Sequence, residues 1–205
     1  MKADFISRYN KDMIDELSRM SAVEAARRLL GCELEREIDG RTVHVRIVET
    51  EAYDETDAAS HSYKGRTERT DVMFGSAGHL YVYFTYGMHY CCNIVVGERG
   101  YGAAVLIRAV EPLKNEEPLM MRRKGKTGAE LTNGPAKLCQ ALDITKKMNG
   151  HNLLRSPLVL VMKPELSASS IVTTPRIGIA RAKDKPWRFF LKGNPYVSRF
   201  RQSVL

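Results

Sequence analysis

Cysteine is sparse in this chain and poorly spaced for chemistry. Four occur in 205 residues: Cys32, Cys91, Cys92 and Cys139. None forms a C-x-x-C pair, so neither a zinc knuckle nor a dithiol redox centre is suggested. Adjacent Cys91 and Cys92 sit in an apolar run as small strand hydrophobes, and a reducing, intracellular compartment is the natural reading. The N-terminal stretch MKADFISRYNKDMIDELSRM carries charges every few residues. It lacks the apolar core of a signal peptide. No G-x-G-x-x-G, P-loop or G-x-S-x-G occurs, which argues against nucleotide cofactors and serine hydrolysis. The five histidines have no H-E-x-x-H-type spacing, so no metal and no cofactor is expected. Repeats and low-complexity tracts are also missing. Leu80–Val96 has no Lys, Arg, Asp or Glu and approaches the length of a membrane span. It is rich in Tyr, Val and Ile, however, and is broken at Tyr86-Gly87. Two strands around a turn fit better than a spanning helix.

What is present is ordinary for a folded protein. Hydrophobic residues make up 43% and charged residues 27%, enough for one domain over residues 1–205 with a real core and no covalent staples. The formal net charge is +8. That balance points to a polyanion partner, although a solvated basic face would produce it equally well.

Ser21-Ala22-Val23-Glu24 has capping-box spacing and predicts a short helix ending near Gly31. Strands are predicted over Cys32–Ile38 and Arg41–Tyr53, joined by the turn signal Asp39-Gly40. Asp54–Gly78 reads as a long ordered loop, a feature that is usually functional in a compact domain. The tyrosine-rich hairpin follows, then a strand over Ala103–Val110, a short helix over Glu116–Arg123 and a helix opened by Gly134-Pro135. Short strands are expected at Leu158–Met162, Arg176–Ala180 and Arg188–Lys192. Strands cluster in hairpins and do not alternate with helices. The expected class is therefore α+β, a curved antiparallel sheet with flanking helices and a protruding hairpin at about 80–96.

Alternation along Arg41–Tyr53 puts Val43, Val45, Ile47, Glu49, Glu51 and Tyr53 on one face. A core-facing strand that ends in two carboxylates needs a reason. Either the strand emerges into solvent or pairs with a buried arginine, or a carboxylate serves as general base at the floor of a cleft. Arg108, the lone charge in AAVLIRAV, predicts an Arg–Glu neighbourhood under both readings. Five of the nine tyrosines, Tyr81, Tyr83, Tyr86, Tyr90 and Tyr101, fall within one short stretch. Aromatic cross-strand pairing would account for them. Tyr86 and Met88 at an exposed turn would instead suit a wedge between base steps. Lys64, Arg66 and Arg69, with hydroxyls between them, suit phosphate contacts or a solvated loop. Two other functions remain open on these residues alone: a non-catalytic nucleic-acid binder, and a metal-dependent nuclease using Glu49, Glu51 and Asp54.

A run of motifs narrows this. RIVETEAY (Arg46–Tyr53), DAASHS (Asp57–Ser62), GRTxR (Gly65–Arg69), MFG (Met73–Gly75), GHLYVYFTYGMHYCCNIV (Gly78–Val95), VLIRAVEPL (Val105–Leu113) and NGPAKLCQAL (Asn133–Leu142) occur in that order. Together they resemble the alkyladenine (3-methyladenine) DNA glycosylase family from about Arg27 to Val197. The resemblance implies that Glu51 is a general base acting on water, with Arg108 helping to hold that water. It implies a base pocket of Tyr53, His61, Tyr83 and Asn93, with Asn93 discriminating against the amine of guanine. Tyr86 would intercalate, and the Ile177 backbone would touch the water. Arg66, Thr67, Arg69, Thr70 and Lys137 would meet DNA phosphates. Thr70 stands where the family usually has Asn, and Ala58 where Pro is common; both bear on loop detail and lesion preference. The implied activity is monofunctional hydrolysis that releases alkylated or deaminated purines (3-methyladenine, 7-methylguanine, hypoxanthine, ethenoadenine) from double-stranded DNA. The enzyme would act as a monomer without a membrane, in a prokaryotic cytoplasm or, for a eukaryotic source, a nucleus. Glu49 is expected to be structural, paired with a basic neighbour.

Overall fold

The computed structural model describes residues 12–198; the first eleven residues and those after 198, which the 1–205 domain expectation also covers, lie outside it. Helix α1 covers residues 12–18 and α2 covers Ala22–Arg28. The capping box forms as its spacing predicts: the Ser21 hydroxyl accepts from the Glu24 amide, and Glu24 accepts from the Ser21 amide. Arg27 and Arg28 stand at the carbonyl end of the helix, where positive charge is favourable. β1 (Glu33–Ile38) and β2 (Arg41–Tyr53) are joined at Asp39-Gly40, with φ of 50° and 73°. Both are positive, as a primed two-residue hairpin turn requires.

The charge-free run folds into β3 (Leu80–Thr85) and β4 (His89–Val95), two strands and no span. Among the described residues no helix is long and apolar enough to cross a membrane. β5 (Ala104–Lys114) is followed by the short helices α3 (Glu117–Arg122) and α4 (Pro135–Ala141), then β6 (Leu154–Arg155), β7 (Leu158–Val161), β8 (Ile171–Thr174) and β9 (Arg188–Leu191). The strands form one antiparallel, curved sheet in the order β3-β4-β5-β2-β1-β7-β6, and β9 pairs both β2 and β8. The class is α+β, with the tyrosine hairpin at one end of the sheet. α2 and α4 cover one face, where Ala25, Ala26, Leu138 and Ala141 join Val43, Ile47 and Ile107 in the main core. Each fully buried Leu or Ile there contributes about 1.5–3 kcal/mol.

Simple alternation fails inside β2, and the failure shapes the site. Val43, Val45 and Ile47 enter the core. The pairing with β5 then slips on both sides of Glu49. Beyond the slip Ala52 takes the core side, and Thr50 donates its hydroxyl to the Ala26 carbonyl of α2 at 2.7 Å. On β5 the core residues switch in the same way, from Val105 and Ile107 to Val110. A one-residue slip reverses every later side chain. Glu49, Glu51 and Arg108 thus leave the face that Val43 to Ile47 occupy. Without the bulge, alternation would drive two carboxylates into the apolar cluster, at a cost of several kcal/mol each.

One strand expectation is corrected, and the long ordered loop is found as expected. Arg176–Ala180 is not a strand but an irregular bend, with Gly178 at φ 74°; its first side chain is drawn inward by an ion pair, which overrides strand propensity. The real strand lies just before it as β8. The long loop of residues 54–78 is ordered by two 3-10 turns, His61–Lys64 and Asp71–Phe74. The first is drawn tight against Gly102, whose carbonyl accepts from Ser62 Oγ at 2.7 Å. A Cβ on Gly102 would stand 2.6 Å from the Phe74 ring, so no larger residue fits without moving the turn that carries His61.

Candidate active site

The second face of the sheet holds a cavity of about 520 Å³. Glu51, Tyr53, Arg108 and Asn93 line it from the strands, His61 and Tyr83 from one wall, Tyr86 from the hairpin tip and Ile177 from the bend. These are the residues that the sequence reading singled out for catalysis, base binding, intercalation and water contact. The proposed phosphate residues Arg66, Thr67, Arg69, Thr70 and Lys137 lie outside this lining.

Glu51 is fully buried at the cavity floor. Its Oε1 accepts from the Ile177 amide at 2.8 Å and lies 3.2 Å from Arg108 Nη1. Its Oε2 accepts from the Tyr53 hydroxyl at 2.7 Å. A carboxylate offers about four lone-pair directions, so these two hydrogen bonds, with the Arg108 cation beside them, leave an open direction for a water. Burial, then the neighbouring Glu51 charge, holds the Tyr53 phenol far above its ordinary range, so it remains a donor. Burial alone would lower the Arg108 pKa, but Glu51 and Glu49 outweigh it and the net shift is upward. The floor therefore carries a fixed cation beside a carboxylate with an open lone pair. That arrangement can take a proton from water and stabilise positive charge developing nearby.

Glu49 is occupied differently. Its Oε1 accepts from Arg108 Nε at 3.0 Å, Arg188 Nε at 2.6 Å and Ser198 Oγ at 2.8 Å, and its Oε2 from the Ser198 amide at 2.7 Å. The expected basic neighbour is a pair of arginines, and little acceptor capacity is left for chemistry. Glu49 does not line the cavity.

His61 and Tyr83 touch edge to face with ring centres 4.5 Å apart, so they form one wall together. Tyr81, two residues before Tyr83 on β3, backs them and contacts His61 Nδ1 through its hydroxyl at 3.0 Å. Arg69 Nη2 lies 3.3 Å from His61 Nε2. Arginine has only donors, so Nε2 accepts and Nδ1 carries the proton toward Tyr81. Part of His61 is open to solvent, but desolvation of the ring, then the Arg69 cation, holds its pKa down at about 4. An NMR titration of His61 C2–H should show a midpoint near 4, moving up in Arg69→Ala; a wild-type midpoint near the unperturbed 6.5 would break this assignment. Between those two values the unfolded chain binds more protons, so this group removes stability as pH falls through that window.

Asn93 is buried and donates Nδ2 to the Tyr81 carbonyl at 3.2 Å. At the tip, Tyr86 and Gly87 have φ of 51° and 67°, and the Met88 amide donates to the Thr85 carbonyl. A tyrosine in the left-handed region costs roughly 1–2 kcal/mol, yet Tyr86 is 83% exposed and gains no burial in return.

Of the proposed phosphate residues, Arg66 is exposed and paired with Asp71 at 2.6 Å. Thr70 is buried; its hydroxyl accepts from the Thr67 amide and holds the loop. Lys137 donates to Glu130 and Asn133. Arg69 also reaches the pocket wall, 5.8 Å from the centre of the Tyr83 ring. The sequence reading did not single out Arg188, Ser198, Asp57 or Arg176, whose partners lie far away in the chain and leave no local pattern. Tyr81 it noted only as one of the hairpin tyrosines. Its i, i+2 spacing from Tyr83 was the available signal that the two share a wall.

A family model described as methylpurine-DNA glycosylase matches residues 16–195. The chain is 51% identical over 175 residues to a protein of Carboxydothermus hydrogenoformans, covering 85% of this chain and 92% of that one. It is 48% identical over 180 residues to one of Methanoculleus marisnigri, covering 86% and 93%. With one of Francisella tularensis it shares 43% over 189 residues, covering 91% and 98%. All three carry the provisional name 3-methyladenine DNA glycosylase.

Proposed function

The chain belongs to the methylpurine-DNA glycosylase family, and from that premise we propose that it excises alkylated and deaminated purines from double-stranded DNA with Glu51 as general base. The reading rests chiefly on one observation: a buried carboxylate with one open lone pair at the floor of an aromatic-walled cavity. A pure binder has no use for that charge, which would repel phosphate.

The steps follow from physical chemistry. The N-glycosidic bond of a stacked nucleotide is out of reach, so the nucleotide is extruded at a cost of roughly a few kcal/mol, least for a damaged base. Tyr86, already projecting, fills the gap in the stack. Tyr53 faces one side of the base and the His61–Tyr83 wall the other. A cationic alkylpurine gains about 1–2 kcal/mol from desolvated aromatic faces. Asn93 reads the base edge against guanine's amine. As the bond to the leaving purine stretches, the sugar acquires oxocarbenium character. Glu51 stabilises that charge and deprotonates the water that Arg108 and the Ile177 backbone help to hold; the water oxygen bonds to C1′ and the glycosidic electron pair leaves with the base. No lysine lines the cavity among the described residues, so a Schiff base with the sugar is not formed and the product is an intact abasic strand. Arg66 and Lys137 supply phosphate contacts. The enzyme works as a monomer in the cytoplasm.

The test is a panel of identical duplexes carrying hypoxanthine, ethenoadenine, 7-methylguanine or undamaged guanine at one position. The damaged bases should be released and guanine retained; release of none, or of all alike, would overturn the reading. Tyr86→Ala should weaken binding to a lesion duplex more than to undamaged DNA, read by competition at one salt concentration. An unchanged preference would remove the wedge from the account.

A further inference from the structure

Behind the pocket lies a buried ion pair that this mechanism does not use. The Arg176 and Asp57 side chains have no solvent exposure. Arg176 Nη1 donates to Asp57 Oδ2 and, at 2.9 Å, to the Ala52 carbonyl; Nη2 donates to Asp57 Oδ1 at 3.0 Å. The guanidinium carbon stands 4.6 Å from the centre of the Tyr53 ring. The Ala52 and Tyr53 contacts and the chain itself lead to Glu51; Nη2 also reaches the Ala182 carbonyl at 3.4 Å, and the guanidinium lies 5.2 Å from the centre of the Trp187 ring. Ala52 is the residue between Glu51 and Tyr53. Tyr53 donates its hydroxyl to Glu51 Oε2, and Ile177, the residue after Arg176, donates its amide to Glu51 Oε1. One side chain thus braces both hydrogen-bond donors on this carboxylate. Buried ion pairs add little net stability compared with apolar packing, so this one calls for another explanation.

We propose that Arg176, oriented by Asp57, is a positioning residue for Glu51: it fixes the Tyr53 hydroxyl and the Ile177 amide on the carboxylate and supports the Tyr53 ring from behind. The inference rests on Glu51 being the general base. The Arg176 side chain has no solvent exposure and does not line the cavity. It acts by keeping the open lone pair of Glu51 aimed into the cavity, where a displacement of about 1 Å can cost about 100-fold in rate.

The experiment compares wild type, Arg176→Met, Arg176→Lys, Asp57→Asn and Glu51→Gln. It measures single-turnover hypoxanthine release at saturating enzyme, affinity for a duplex bearing a tetrahydrofuran abasic analogue, and thermal unfolding. Arg176→Met should lower the rate by about 100-fold while affinity stays at the wild-type level. Arg176→Lys, which keeps the cation without the fork, should recover part of the rate, and Asp57→Asn should fall between. Lys185 Nζ lies 3.8 Å from Asp57, so the aspartate keeps a counter-charge when Arg176 is replaced. If Arg176→Met does not fold, Arg176→Lys and Asp57→Asn carry the same comparison. Wild-type rates in these variants, or rate and affinity falling together with stability, would overturn the proposal. Full release by Glu51→Gln would instead overturn the general base itself, a distinct result.

Discussion

Glu51→Gln should bind a damaged duplex as wild type does and release the base more slowly by about 10²–10⁴-fold or more, the range that a general base supplies. The fold should survive the change. Gln keeps the carbonyl oxygen that accepts from the Ile177 amide and lies beside Arg108. Its new NH2 group faces the Tyr53 hydroxyl, which can turn and accept. Arg108 loses one carboxylate but retains Glu49 at 3.0 Å. What disappears is the lone pair that receives the proton and the charge that stabilises the sugar cation. Single-turnover release and duplex affinity, measured side by side, decide the matter. A parallel fall in both would mean that Glu51 holds the structure and does not perform the chemistry.

Glu49→Ala should show the opposite pattern. It leaves Arg108 with one carboxylate and, among the described residues, Arg188 with the Thr174 hydroxyl, the Ser198 carbonyl and the Phe190 ring. Removing one partner of a buried ion network costs about 3–5 kcal/mol. For a chain of this size each kcal/mol lowers Tm by about 2–4 °C, so the melting temperature should drop by several degrees or more. Below that temperature the remaining folded enzyme should still release base. Urea unfolding and activity measured on one preparation separate the two effects. If Glu49→Ala were stable and inactive, the two glutamates would have to exchange roles.

Much of this architecture is legible in the residues, for local reasons. Ser21 and Glu24 cap a helix through their own backbone, and Asp39-Gly40 turns a hairpin through its own φ angles. A lone Arg108 in an apolar strand announced a buried carboxylate, and Glu49 and Glu51 both answer it. The face on which those glutamates lie was not legible. Alternation from Val43 puts them in the core, and only the paired slip in β2 and β5 turns them out of it, Glu51 to the cavity and Glu49 to Arg108 and Arg188. Arg176 reads as a strand residue in sequence. It bends inward because Asp57, more than a hundred positions earlier, stands where only tertiary folding can bring it. Short-range patterns thus carried the elements, whereas the charge pairs that support the site depend on the complete fold. The roles themselves came from a dense set of motifs and not from periodicity.

The most direct measurement uses one duplex with a single hypoxanthine, incubated with the protein in EDTA and divided three ways. One portion is left untreated, one is heated in alkali, and one is reduced with borohydride. The account predicts free hypoxanthine in equal amount to alkali-dependent breaks at the lesion, an unbroken strand without alkali, and no trapped protein–DNA adduct. Breaks without alkali, a borohydride-trapped adduct, or no free base would contradict it.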